Sequence, residues 1–390
     1  MKKTRMKIVL VPDSFKGTMS STDVCDVMQK AILEAVPDAE IISIPIADGG
    51  EGTVASFLYA IGGEKITIET IGPFGEKVNS SYGQLENSTA IIEMAEAAGL
   101  PLVNKKLNVM DTTTYGVGEL ILHALEAGNK KIIIGLGGSA TNDGGAGACS
   151  ALGIKFLDAL GNAFIPVGGT LRDIKSIDLS GINPLVNEAE ILLMSDIDNP
   201  MCGPNGAAHV FGPQKGANED EINILDEGLK NFVEIVRRDS GISILELPGS
   251  GSAGGMGGGF VGLLGGKLEM GIDLLLDTVN FMEIIKDADI VFSGEGKIDA
   301  QSLRGKVVIG VAKRTKLAKV PLIAVVGDIA GDMSSSYELG ISAINSINRL
   351  AEPYEKAKLH AKEDLYLTVI EIMRMLNLGQ QLGEFHFILK

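Results

Sequence analysis

Asp196 and Asp198 stand two residues apart in Ser195-Asp196-Ile197-Asp198-Asn199-Pro200, directly after the apolar run Ile191 to Met194. In an extended chain this spacing points both carboxylates to one side, where they can share a metal or a substrate. The plain alternative is an Asx-turn at a strand end. A second block, Gly135-Leu136-Gly137-Gly138-Ser139-Ala140-Thr141-Asn142-Asp143-Gly144-Gly145-Ala146-Gly147, follows the strand-like Lys131 to Ile134. A loop so poor in side chains costs conformational entropy and is tolerated where backbone must approach a ligand closely. It reads as a phosphate loop: Gly137, Gly138, Gly144 and Gly145 offer amides, Ser139, Thr141 and Asn142 offer neutral donors, and Asp143 is placed to hold a metal or orient a hydroxyl.

Three further blocks join small residues to charged ones after strands. Pro12-Asp13-Ser14-Phe15-Lys16-Gly17 offers Asp13 and Ser14 to ligand hydroxyls and Lys16 to a carboxylate or phosphate. Ala47-Asp48-Gly49-Gly50-Glu51-Gly52-Thr53 leads into a helix, where converging N–H groups can meet an anion. An acidic pair favouring the helix dipole explains Glu51 equally well, but not three glycines around two acids. Ser293-Gly294-Glu295-Gly296-Lys297-Ile298-Asp299, followed by Arg304-Gly305-Lys306, brings Glu295 and Asp299 close to three cations. Lys215 in Phe211-Gly212-Pro213-Gln214-Lys215-Gly216 is another glycine-flanked cation, whereas His209 reads as a packed or capping residue. Gly249 to Gly254 forms a G-x-G-x-x-G with Glu269 about twenty residues on, as a dinucleotide fingerprint wants. It is discounted, because Leu247-Pro248 is a poor entry strand and the surrounding glycines make such matches easy.

The elements that must position these residues alternate. Lys7 to Val11 and Ile41 to Ile46 read as strands, with a helix opened by Ser20/Ser21 between them. The same grammar returns at Ile290 to Phe292, Val307 to Leu317, Leu322 to Val326 and Ile341 to Ile344, closing on a helix from Ala357 to Leu376. This is βαβ order and implies a parallel sheet covered on both faces. Between them, Ile66 to Thr70, Val78 to Gln84 and Ala90 to Met94 read as strands with short, antiparallel connections, followed by a helix from Thr113 to Ala127. The expected architecture is α/β: a discontinuous, doubly wound, flavodoxin-like domain of residues 1–72 plus 285–376, a mixed α/β domain inserted at 73–284, and a tail at 377–390.

The bulk numbers agree. The chain has 390 residues, 45% of them hydrophobic, with 50 glycines but no tryptophan. A net charge of −16 argues against non-specific nucleic-acid or anionic-membrane binding. It also means that local cations and amide nests would have to reverse the field wherever an anion binds. Three scattered cysteines form no disulfide framework or zinc spacing, which fits a reducing cytoplasm. The apolar run after the N-terminal basic residues is too short for a signal-peptide core, and no stretch reaches the roughly 18 apolar residues of a membrane span.

Taken together the blocks resemble the type I glycerate kinase family. The motifs that carry the resemblance are PDSFKG (12–17), ADGGEGT (47–53), IEMAEAAGL (92–100), TTTYGVGELI (112–121), GLGGSATNDGGAG (135–147), DIDNPMCGPNGAAHVFGPQKGA (196–217) and SGEGKIDAQSLRGK (293–306), spread over Lys7 to about Leu376. The departures are mild: Lys297 where Arg is commoner, Ser250 and Ser252 where Ala is usual, and Val308 where Pro is frequent. The resemblance implies ATP and Mg²⁺ as cofactors, D-glycerate as acceptor and a phosphoglycerate as product, with 2-phosphoglycerate favoured over 3-phosphoglycerate. The expected partners are the small molecules D-glycerate and ATP, with no nucleic acid or membrane, and the oligomeric state is open between monomer and homodimer. In phosphoryl transfer a carboxylate takes the acceptor's proton. Asp196 is expected in that role, with Asp198 second. Glu295 and Asp143 are expected at the metal, Asp299 at the metal or the glycerate hydroxyls, and Lys16, Lys215 and Arg304 at the glycerate carboxylate or the moving phosphoryl group. Asp13, Ser14 and Asp48 complete the substrate set. No Walker A or protein-kinase signature is present. The rival readings are an NAD-dependent oxidoreductase of a small hydroxy acid and a non-catalytic small-anion sensor.

Overall fold

The computed structural model describes residues 5–47, 49–103, 107–299, 302 and 306–382. The strands of its two main sheets are, in chain order, β1 (Lys7–Pro12), β2 (Glu40–Ser43), β3 (Glu64–Ile71), β4 (Lys77–Leu85), β5 (Thr89–Glu93), β6 (Lys131–Gly135), β7 (Glu190–Met194), β8 (Lys267–Glu269), β9 (Ile290–Gly294), β10 (Leu322–Val326) and β11 (Ala343–Ser346). The chain divides into two compact units, one formed by residues 1–47 and 275–390, the other by 48–274.

The first unit is built on a five-stranded sheet in the order β11-β10-β9-β1-β2, with every pair parallel. Numbered along the chain this is the 2-1-3-4-5 order of flavodoxin-like folds. The sequences explain the placement: KIVLVP and LIAVV are apolar on both faces and every residue is buried, as an inner strand between helical layers requires. The helix Ser21–Ala35 starts from a capping box, the Ser20 side chain accepting from the Asp23 N–H while Asp23 reaches back to Ser20. It buries Val24, Met28, Ala31 and Ile32 against the helix Ala361–Leu382, which supplies Leu365, Val369 and Met373 to the same core.

The second unit carries a six-stranded sheet in the order β8-β7-β6-β5-β4-β3. The β3/β4 and β4/β5 pairs are antiparallel; β5, β6, β7 and β8 are parallel. The antiparallel middle section is therefore as the strand spacing predicts. The unit boundaries differ from the expected breaks at 72 and 285. β3 pairs with β4 along its full length, and the helix Thr53–Ile61 packs on β4 and β5, which draws residues 48–72 into the second unit. At the other end Phe281 and Ile285 are buried on a helix that packs against Val307–Ala318, which draws 275–285 into the first. The closing helix continues past 376 to Leu382; the last eight residues of the expected tail lie outside the described residues. Among the described residues no helix is long and apolar enough to cross a membrane.

Candidate active site

In the second unit the three parallel strands β5, β6 and β7 release their carboxyl ends into the segments 94–100, 135–142 and 195–200. A cavity of about 230 Å³ opens there, lined by Gly137, Gly138, Ser139, Asp196 and Lys215 among others. Open α/β sheets bind ligands at this edge. The loop after β6 is held by backbone: the Gly137 N–H donates to Gly49 O (2.9 Å), Leu100 N–H to Gly138 O (2.9 Å) and Ala140 N–H to Ala98 O (2.9 Å). Gly137 has no room for a side chain, since a Cβ would lie 2.5 Å from Gly50 Cα. Gly138 sits at φ +74°, a left-handed conformation that favours glycine.

Lys215 is 3% exposed, yet it lines this cavity. Its ammonium donates to Ser139 Oγ and to Thr141 O, both at 2.7 Å. Both acceptors are neutral. Burial pulls its pKa down to about 7, and the charge of Asp143 pulls the other way. At a sheet's carboxyl edge, a buried cation hydrogen-bonded only to neutral acceptors favours a bound anion.

Asp196 lines the cavity from the loop after β7; its Oδ1 accepts from the Gly271 N–H at 2.9 Å. Asp198 is exposed and is not among the lining residues. The expected pair on one side is thus a single cavity acid, because residues 195–200 leave the sheet as irregular chain rather than as strand.

The other half of the glycine-rich loop is buried instead of facing the cavity. Asp143, expected as a metal ligand, is fully buried and already saturated. Its carboxylate accepts from the Thr114 N–H (2.8 Å), the Thr114 hydroxyl (2.8 Å), the Gly145 N–H (3.1 Å) and the Gly147 N–H (3.3 Å). Burial raises its pKa despite these donors. It fits an internal organiser and not a metal ligand. Gly144 and Gly145 are left-handed, at φ +63° and +77°, and a Cβ on them would meet Phe232, or Met256 and Phe260. Thr141 and Asn142 are fully buried, and Thr141 Oγ1 and both Asn142 amide atoms have no protein partner. They lie under Ala253 and Gly254, where a Cβ on Gly254 would stand 2.0 Å from Thr141 O.

The start of the helix Thr53–Ile61, read as an anion site, is met by the protein's own carboxylate. Val54 N–H donates to Glu93 Oε1 at 2.8 Å, and Glu93, almost buried, has its pKa raised chiefly by that burial. The neighbouring glycines serve close packing: a Cβ on Gly135 would be 2.5 Å from Gly49 O, and one on Gly49 would meet Met194 at 3.0 Å. Gly249 to Gly254 follows no strand. It enters a helix through Ala253, Gly254 and Gly255, all left-handed, so a dinucleotide fold has no support there. Ser252 and Ala253 line the cavity, which the sequence did not signal; the run of small residues around them was the only hint.

In the first unit Asp13 and Ser14 follow β1. The Asp13 N–H donates to Gly294 O (2.8 Å) and the Ser14 N–H to Asp13 Oδ1 (2.6 Å). Glu295 follows β9, is 6% exposed, and has one oxygen, Oε1, without a partner. Burial pushes its pKa up to about 7; the charges of Asp13 and Asp299 add to that, against the Ser302 hydroxyl and Lys306. Asp299 Oδ1 accepts from the Ser302 N–H at 3.2 Å. Lys16 is exposed, and its carbonyl accepts from the Tyr354 hydroxyl at 3.1 Å. Asp48 and Arg304 lie outside the described residues. Among the described residues no group of three or more His, Cys, Asp or Glu is arranged to hold a metal ion.

A sheet whose parallel carboxyl edge carries a glycine loop, a buried lysine and a cavity acid fits an α/β enzyme for small anionic substrates. Comparison with known proteins narrows the class. The sequence model of the glycerate kinase family matches residues 8–377. The chain is 44% identical to glycerate kinase of Bacillus cereus over 94% of its own length and 97% of that protein. It is also 44% identical to glycerate 2-kinase of Escherichia coli, over 88% and 90%. A crystal structure reported for a glycerate kinase 2 of Salmonella typhimurium superposes with a TM-score of 0.87 at 40% identity, covering 97% of this chain and 100% of that one. The chain belongs to the glycerate kinase family, and is an ATP-dependent phosphotransferase acting on small molecules.

Proposed function

We propose that the protein transfers the γ-phosphoryl group of ATP to the 2-hydroxyl of D-glycerate, giving 2-phosphoglycerate and ADP in the cytoplasm. The observation that carries the reading is Lys215, buried beside Gly138 and Ser139 in one cavity. The choice of position 2 is supported by the similarity to a protein named glycerate 2-kinase.

Phosphoryl transfer asks for positioning and charge stabilisation. Gly138, Ser139 and Lys215 hold anionic oxygens, while Gly137 shapes the loop through its bond to Gly49 O. Asp196 takes the proton of the acceptor hydroxyl while the oxygen–phosphorus bond forms and the bond to ADP breaks. Lys16 meets a carboxylate or phosphate, Asp13, Ser14 and Asp299 meet hydroxyls, and Asp48 and Arg304 stay in the substrate-binding set. Glu295 is the residue that would hold Mg²⁺, which would supply charge neutralisation when bound. One carboxylate oxygen there is unpartnered, and burial, with added repulsion from Asp13 and Asp299, raises its pKa, a cost that a cation would relieve. Mg²⁺ commonly takes one or two carboxylates plus phosphates, so no larger cage is required. The free, buried Cys25 and Cys149 suit a reducing compartment, and a monomer or homodimer is the expected form.

The test is ³¹P NMR of the product from enzyme, ATP, Mg²⁺ and D-glycerate. The 2-phosphoglycerate resonance is expected. A 3-phosphoglycerate resonance overturns the positional assignment, and an absence of glycerate-dependent ADP release overturns the acceptor.

A further inference from the structure

The first unit has a cavity of its own, about 300 Å³, and of its lining the roles above use only Lys16. Its walls come from four adjacent parallel strands, each at the same end. Phe15 and Lys16 follow β1, Gly296 follows β9, Gly327 follows β10 and Ile347 follows β11. That is the carboxyl edge of a flavodoxin-order sheet, and it includes the β1/β9 switch point where such sheets bind ligands. The rim is fixed by Tyr354, whose hydroxyl donates to the Lys16 carbonyl at 3.1 Å.

The lining selects the ligand. Phe15 and Ile347 are buried side chains, and with Ala357 they offer an apolar surface that a three-carbon acid has no face to cover. Two cations, Lys16 and Lys358, stand against three carboxylates, Asp328, Glu352 and Asp364. The helix-borne charges are already engaged: Lys358 pairs with Glu355, and His360 bonds both Glu352 and Asp364. With those charges engaged, Lys16 is matched by Asp328 and the lining holds no surplus of cations for a bare anion. It suits a flat, neutral group that donates hydrogen bonds, which describes a purine with an exocyclic amine joined to a ribose diol. From this we infer that the cavity holds the nucleoside part of ATP.

The inference rests on the kinase reading but fails separately from it. Calorimetry on the full chain, without D-glycerate, should show both ADP and adenosine binding. Ala357→Trp, which fills the apolar side, and Asn348→Trp, at an exposed lining position, should each weaken both ligands by about tenfold or more while leaving D-glycerate binding unchanged. Thermal melts identify a variant that has not folded, and the two positions differ enough in burial for one to serve if the other fails. Adenosine that does not bind overturns the inference. So does unchanged ADP affinity in a folded variant, or a loss confined to D-glycerate. In each of those cases turnover by the wild type would leave the kinase reading standing.

Discussion

The two halves of the segment 135–147 have nearly the same composition and opposite jobs. Gly137, Gly138 and Ser139 line a cavity with Lys215. Asp143, Gly144, Gly145 and Gly147 are buried in the interior, where Asp143 gathers four hydrogen bonds and the glycines let other segments approach. The approach is reciprocal: a Cβ on Gly259 would lie 1.9 Å from Gly144 O. Glycine density therefore marks close backbone contact and does not say with what. A ligand is expected only where the segment also meets a cavity and a cation hydrogen-bonded to neutral acceptors alone.

That contrast can be broken at both ends. The largest effect belongs to the cavity side. Asp196→Asn should lower kcat by roughly 10²–10⁴-fold, the range for loss of a general base, with an unchanged melting curve. Steady-state turnover measures this, and near-normal kcat removes Asp196 from the proton-transfer role. On the buried side the expected loss is stability. Gly259→Ala should cost about 1–3 kcal/mol in urea unfolding, typical of overpacking, while activity per folded molecule stays near wild type. A folded variant with normal stability would mean that the backbone there yields easily.

Lys215 gives the comparison a pH dependence. Its pKa is lowered from 10.5 to about 7, so between these values the unfolded chain holds a proton that the native chain lacks. This group's contribution to stability therefore rises with pH through that window, and below about 7 its full burial penalty is present. Anion binding runs the other way, since the receptor loses its charge. Affinity for the anionic substrate should fall by about tenfold per unit well above pH 7. Denaturant titrations and KM measured across pH 6.5–9 separate the two trends, and Lys215→Met should abolish both. The smallest effect is expected at Asp198→Asn, within about threefold in kcat, because that side chain is exposed and outside the cavity lining.

Much of the fold was legible from local pattern. Fully apolar strands such as Leu322–Val326, the Ser20 capping box and the short antiparallel connections near 66–94 all follow from periodicity and turn chemistry. The unit boundary was not, because the long β3/β4 pairing that assigns residues 48–72 is a tertiary choice. Within the site, Lys215 and Gly137 to Ser139 were readable as glycine-flanked chemistry. Glu93 as the helix-start anion was not, since its partner Val54 lies 39 residues earlier in sequence. Nor was the saturation of Asp143 by Thr114, which depends on packing across the same unit.

Lys215→Met tests the central assignment most directly. Removing a buried ammonium held only by neutral acceptors should leave the fold intact or more stable while kcat/KM falls by about 10²–10³-fold, as for a lost electrostatic stabiliser. A well-folded Lys215→Met enzyme with kcat/KM within about threefold of wild type across pH 6.5–9 would contradict the assignment.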